Sequence, residues 1–253
     1  MNILLTNDDG VHAEGLLALK KALSEFAKVY ILAPDRPRSA CGHSITLHKP
    51  LRVSNVKLAD GSQAIASNGT PSDCVSLALL GVVEAKIDMV ISGINHGPNL
   101  GWDLTYSGTV SAAMEAAIAG VKSIAVSVTS YDNNVNYVTA ANFTASLAKI
   151  YIDKTLPVNT LLNINVPNLS ETKIKGIEIT RQGKKRYSSF IEKRTDPVGR
   201  TYYWLSGDEP TEAPEKGTDV NAIMNGKISV TPVHLDLTDD YSVSAIKDWN
   251  IKL

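Results

Sequence analysis

The sequence predicts an α/β protein built on a doubly wound, mostly parallel sheet, and three observations lead there. Short, continuously apolar runs recur at Asn2–Thr6, Lys28–Ala33, Asp88–Ser92, Ser123–Val128 and Leu161–Val166, the pattern of strands covered on both faces. Segments with helical spacing fall between them, and that alternation places helices on both sides of a sheet. After about residue 180 the alternation stops and the chain turns basic and aromatic. The reading is therefore a Rossmann-like core of three α/β/α layers with a C-terminal β-hairpin arm. Residues 1–180 are expected to form the Rossmann-like core, and residues 181–253 the arm and a C-terminal segment that completes the single domain.

The first run closes on Asn7-Asp8-Asp9-Gly10, and Leu16, Leu19, Leu23 and Phe26 then share one helical face. Pro34 stops the second run, and a polar loop follows through Thr46. Leu51–Val56 reads as an edge strand. Thr70-Pro71-Ser72-Asp73 reads as a helix start, since Thr caps, Pro suits the first helical position and Asp favours the dipole. Ser107–Ala119 reads as a helix ended by Gly120, and Phe143, Leu147 and Ile150 mark the next helix. Further on, Arg181–Arg194 and Arg200–Ser206 are predicted as two strands joined by the turn Asp196-Pro197-Val198-Gly199. A two-stranded arm of this kind is marginal alone and needs a partner surface. A loop over Pro210–Gly217, a strand near Lys227–Pro232 and a short helix near Tyr241–Trp249 finish the chain.

With 253 residues and a formal net charge of −1, the chain has room for a large core and no overall field drawing it to duplex nucleic acid or an anionic membrane. Its first apolar run lacks a basic n-region and soon meets acids, unlike a signal peptide. No segment approaches the roughly 18 apolar residues of a membrane span. Cys41 and Cys74, the 2 cysteines, form neither a disulfide framework nor a CxxC site. A cytoplasmic protein with reduced thiols is the expectation.

Ligands of a doubly wound sheet bind beyond the carboxyl ends of its strands. Asp8 and Asp9 follow the first strand, Ser39 lies in the loop after the second, and Asn95 follows the Asp88–Ser92 strand within Ser92-Gly93-Ile94-Asn95-His96-Gly97. Two carboxylates, a hydroxyl and an amide carbonyl are hard donors that suit Mg²⁺, Mn²⁺ or Ca²⁺, and a divalent cation relieves the repulsion between adjacent acids. Taken singly, Asn-Asp-Asp-Gly is an ordinary turn, Ser39 a loop serine and Asn95 a turn former. Their convergence on one sheet edge favours a metal site. Ser107-Gly108-Thr109 opens a helix, where free N–H groups, a glycine and two hydroxyls suit a phosphate. A bulky residue at Gly108 is then expected to weaken phosphate binding and spare the metal. Among the 5 histidines no HExxH spacing occurs; His43 and His96 flank the site as general-acid candidates. Lys184-Lys185-Arg186 reads as a solvated face.

Other chemistries lack their motifs. The first βα turn has Asn-Asp-Asp-Gly where a dinucleotide enzyme carries GxGxxG, no GxxxxGK[ST] is present, and Gly42-His43-Ser44-Ile45-Thr46 lacks the final glycine of GxSxG. A non-catalytic metal or nucleotide sensor is the competing class.

Five stretches then stand in order over nearly the whole chain: ILLTNDDG at Ile3–Gly10, APDRPRSACGHSIT at Ala33–Thr46, NGTPSDCV at Asn68–Val75, SGINHGPNLGWDLTYSGTVSAAMEA at Ser92–Ala116, and GTDVNAI near the end. Together they resemble the survival protein SurE family of metal-dependent 5′/3′-nucleotidases. The resemblance implies hydrolysis of nucleoside monophosphates with one divalent cation per subunit, Mg²⁺ or Mn²⁺, bound by Asp8, Asp9, Ser39 and Asn95. It also implies a homodimer or homotetramer in which the hairpin exchanges between subunits. A fitting mechanism has a cation-activated water attack phosphorus, with Asp8, Asp9 and Asn95 catalytic. Asn95 and Ser107, Gly108 and Thr109 would bind the phosphate. His12 with Glu14 departs from the family's frequent Ala-Pro-Gly type of sequence, which affects only the start of the first helix.

Overall fold

The computed structural model describes residues 1–184, 188–208 and 214–252. Strand β1 (Asn2–Thr6) sets the layering, because Ile3 and Leu5 enter one apolar cluster while Leu4 enters another on the opposite face, all fully buried. Each such side chain contributes about 1.5–3 kcal/mol on leaving water. Helix α1 (Glu14–Leu23) and strand β2 (Lys28–Pro34) follow, then the hairpin of β3 (Val53–Lys57) and β4 (Gln63–Ser67). Next come α2 (Pro71–Leu77), β5 (Met89–His96), α3 (Gly108–Ile118), β6 (Lys122–Thr129), α4 (Tyr137–Tyr151), β7 (Thr160–Pro167) and β8 (Ile177–Ile179). The arm is β9 (Ser188–Thr195) with β10 (Thr201–Asp208); α5 (Asp219–Met224), β11 (Ile228–His234) and α6 (Asp240–Lys247) end the chain.

One 9-stranded sheet runs in the order β3-β4-β2-β1-β5-β6-β7-β11-β8. Strands from β4 across to β7 are mutually parallel, whereas β3 and β11 run antiparallel to their neighbours β4 and β7. Helices α1 and α4 cover one face through Leu16, Leu19, Leu23, Ala140, Ala145 and Ala148. On the other face lie α2 and α3, with Cys74, Val75, Ala112 and Ala116. This is the expected three-layer, doubly wound fold. From β1 the chain moves outward through β2 and β4, then returns to β5 on the other side of β1. The reversal makes the carboxyl ends of β1 and β5 the switch point, where a crevice opens.

Several elements differ from the sequence reading. In α4, Phe143 and Leu147 pack half-buried against the core beside Ala140, Ala141, Thr144, Ala145 and Ala148, while Ile150 stays 58% exposed; the small residues let α4 lie close against α1. Strand β4 and helix α5 are additional, and the last strand sits inside the main sheet between β7 and β8. The arm's first strand starts at Ser188, because Arg181 is drawn instead to the C-terminal segment, its N–H donating to the Gly217 carbonyl at 3.0 Å. Lys185, Arg186, Tyr187 and the first part of the Pro210–Gly217 loop lie outside the described residues. The Thr70 cap forms as expected, with Thr70 and Asp73 exchanging hydrogen bonds of 3.1 and 2.8 Å. Among the described residues no helix is long and apolar enough to cross a membrane.

Candidate metal and phosphate site

Turn and site coexist at the end of β1. Asn7, fully buried, makes the turn: its amide donates to the Gly10 carbonyl at 2.9 Å and its Oδ1 accepts the Gly10 N–H at 3.1 Å. That leaves both aspartates to other partners. Asp8 is 5% exposed and its carboxylate accepts the Thr109 hydroxyl. The less buried Asp9 accepts the His96 N–H at 3.0 Å. All ion pairs among the described residues lie elsewhere. Arg38, on the adjoining loop, sends its guanidinium to the Asn68 carbonyl at 2.6 Å and to Asp35 at 3.4 Å.

Charge is therefore unbalanced in a place short of water. Burial pushes Asp8 up to about 6, against the Thr109 hydroxyl and with help from the charge of Asp9. Burial also raises Asp9, opposed by the His96 N–H. Two neighbouring carboxylates held at neutral pH carry a desolvation penalty that a bound cation would reverse.

Asn95 owes its place to an irregularity of β5, whose register against β6 shifts between Ser92 and Asn95. Such a bulge re-aims a side chain. Gly93 permits it, since a Cβ there would lie 2.3 Å from the Val126 carbonyl oxygen. The Asn95 amide nitrogen donates to the Gly97 carbonyl at 2.8 Å, which leaves its oxygen outside that bond. Ser39 is exposed on the loop after β2, and its neighbour Arg38 ties that loop to the Asp8 carbonyl by an N–H bond of 2.7 Å. The loop is held further on by Gly42 donating to the Tyr106 carbonyl at 3.0 Å and by Thr46 donating twice to Asp73, at 2.9 and 2.7 Å.

The start of α3 abuts Asp8. The Ser107 hydroxyl caps the helix by accepting the Val110 N–H at 3.1 Å, and Thr109 directs its hydroxyl to Asp8. Both hydroxyls of the expected cradle are thus engaged within the chain, and the backbone remains the part able to face a phosphate. A Cβ at Gly108 would lie 2.8 Å from Asp8 Cβ and 2.9 Å from Cys41 Sγ. A bulky residue there would displace Asp8 as well, so the expectation that it spares the metal is revised.

His43 Nε2 lies 3.0 Å from Glu115 Oε2, and Glu115 also accepts the Ser76 hydroxyl at 2.7 Å. Glu115 is seven residues past Gly108, about 10 Å along the helix axis, so His43 is drawn away from the acidic pair. His96 contributes its backbone N–H. Sequence reasoning gave no role to Cys41, which lies beside Gly108, nor to the buried polar set of Asn99, Asn163, Asn165 and Asp219. One signal was available: in LLNINV the two asparagines recur with period two and so share a strand face.

Fold and site define a doubly wound α/β protein with an acidic, hard-donor centre at its switch point. A family model described as Survival protein SurE matches residues 3–189. The chain is 49% identical over 251 residues to the 5′-nucleotidase SurE of Geobacter sulfurreducens, covering 99% of this chain and 94% of that one. It is 48% identical over 250 residues to the 5′-nucleotidase SurE of Heliobacterium modesticaldum, covering 98% and 92%. The solved SurE protein from Aquifex aeolicus superposes with a TM-score of 0.87 at 42% identity, covering 99% of this chain and 100% of that one. The chain belongs to the SurE family.

Proposed function

We propose that this chain removes phosphate from nucleoside monophosphates and requires a divalent cation, Mg²⁺ or Mn²⁺, held by Asp8, Asp9, Ser39 and Asn95. The observation that carries the proposal is the acidic pair, Asp8 buried and Asp9 half-buried, set against the start of α3 with no ion-pair partner among the described residues. Relatives named 5′-nucleotidase SurE support the substrate class. The donor set is all oxygen, which fits a hard cation. When bound, such a cation polarises a phosphate oxygen and acidifies a neighbouring water.

The chain's own groups do the remaining work. Thr109 fixes the Asp8 carboxylate and the His96 N–H fixes Asp9. Gly108 keeps the helix start clear of a side chain, and the N–H groups there favour a dianionic phosphate. Asn95 adds a polar contact from β5. The arm presents Ile191 and Leu205 at 64% and 85% exposure, with Phe190, Tyr203 and Trp204 also exposed, and this surface supports a homodimer or homotetramer through β9 and β10.

The test is release of inorganic phosphate from AMP and GMP with Mn²⁺ present. Multiple turnovers are expected. Binding of nucleotide and Mn²⁺ without phosphate release would make the chain a sensor.

A further inference from the structure

We propose that Asp219 is a positioning residue for the phosphate cradle, a proposal that rests on the function read above. Asp219 lies fully buried at the start of α5, far along the chain from the site. Its Oδ2 accepts the Gly101 N–H at 2.8 Å, and its Oδ1 accepts the N–H groups of Gly183 and Val220, each at 2.8 Å. Gln182 Nε2 donates to the Gly101 carbonyl at 2.8 Å, so both polar groups of Gly101 are held from beyond residue 180. The fit at Gly183 is close: a Cβ there would lie 2.7 Å from Asp219 Oδ1.

Gly101 opens a tight helical turn over Gly101–Thr105, and that turn leads into Ser107, the cap of α3. Two residues before Gly101 the sheet supplies an independent anchor. The Asn99 N–H donates to Asn165 Oδ1, and its carbonyl accepts the amides of Asn163 and Asn165, all at 2.9 Å. Its own amide donates to the Ser127 hydroxyl at 2.8 Å. β6 and β7 thus fix where the loop begins, and Asp219 fixes the direction in which the chain leaves Gly101. With both ends held, Gly108 is delivered against Asp8. A buried carboxylate accepting three N–H groups makes charge-assisted bonds, each stronger and more directional than a neutral one. The same carboxylate grips Gly183, at the root of the arm, and so joins arm and loop.

The experiment is Asp219→Asn in the full chain with Mn²⁺. An amide keeps one acceptor oxygen and presents an NH₂ to the other side, so the Gly101 bond or the Gly183 and Val220 bonds must fail. The KM for AMP is expected to rise about tenfold and inhibition by inorganic phosphate to weaken by a similar factor, the scale of one hydrogen bond to a charged group. Amide hydrogen exchange should quicken in residues 101–107. Gln182→Ala, which removes only the bond to the Gly101 carbonyl, should move all three readouts the same way by less, and it decides the matter if Asp219→Asn does not fold. Ser229→Ala, which removes a buried hydroxyl 2.8 Å from Thr180 on the same segment, is the control. It should lower the melting temperature and leave KM and phosphate inhibition unchanged. Parent-like KM and phosphate inhibition in Asp219→Asn, or equal changes in Ser229→Ala, would overturn the proposal. Hydrogen exchange needs no turnover, so a parent chain that released no phosphate would remove the functional reading while exchange in residues 101–107 still decided the role of Asp219.

Discussion

The crevice at β1 and β5 and the hairpin arm are incomplete in opposite ways. In the crevice the acidic pair is hydrogen-bonded while its charge stays unbalanced: Asp8 and Asp9 receive a hydroxyl and an N–H, with no ion pair among the described residues. In the arm the backbone ladder is in register from Thr201 with Thr195 to Asp208 with Ser188, and the apolar side chains stay exposed. Excess buried charge points to a small cation, which supplies field without bulk. Excess apolar surface on an isolated hairpin points to a protein partner, since two strands cannot bury a core of their own.

The largest effect that would separate the two regions lies in the arm. Replacing both Tyr203 and Trp204 by Ser should weaken self-association by about 4 kcal/mol, at about 2 kcal/mol for each aromatic anchor. Light scattering at micromolar concentration should then show a monomer, with the core's melting temperature close to the parent's. An oligomer of unchanged mass would move the interface to other surfaces.

Next in size are the carboxylates. Asp8→Asn and Asp9→Asn should each lose turnover by about a hundredfold or more, because each removes charge from a centre meant to activate water and stabilise a phosphate. Steady-state kcat measures it. A loss under tenfold in both would show that the pair is structural.

A smaller effect concerns pH in the chelated protein. Burial raises Asp8 to about 6 in the folded state, so the folded chain binds its proton more tightly than the unfolded chain does. The associated stability is present below the ordinary carboxylate range near 4 and is lost as pH rises through about 6. Relative to Asp8→Asn, the parent should lose about 2 kcal/mol between about pH 4 and pH 7.5. Denaturant melts at pH 4 and pH 7.5 read the difference, and parallel pH profiles for the two proteins would refute it.

How much of this was legible follows from the kind of signal each element carries. The run Asn2–Thr6 and the Leu16, Leu19, Leu23 spacing are strong local patterns, and they gave β1 and α1 directly. β4, with the sequence QAIAS, has little apolar bulk; its strand state comes from lying between β3 and β2. β11 was visible as a strand, but its antiparallel seat against β7 depends on a chain reversal that no local pattern encodes. At the site, residue types and their positions after strands brought Asp8, Asp9, Asn95 and the α3 start to one edge. The engagement of Thr109 with Asp8 was hidden, because a hydroxyl's partner is a matter of packing. Asp219 was hidden for the same reason, its bond to Gly101 spanning 118 positions.

The most direct measurement is phosphate release from AMP by protein stripped of metal with a chelator, then dialysed and supplied with Mn²⁺ or Mg²⁺. Turnover is expected to fall to background on stripping and to return with either cation, saturating at one equivalent per chain. Full turnover in the stripped protein would contradict a cation at Asp8 and Asp9 as the source of the chemistry.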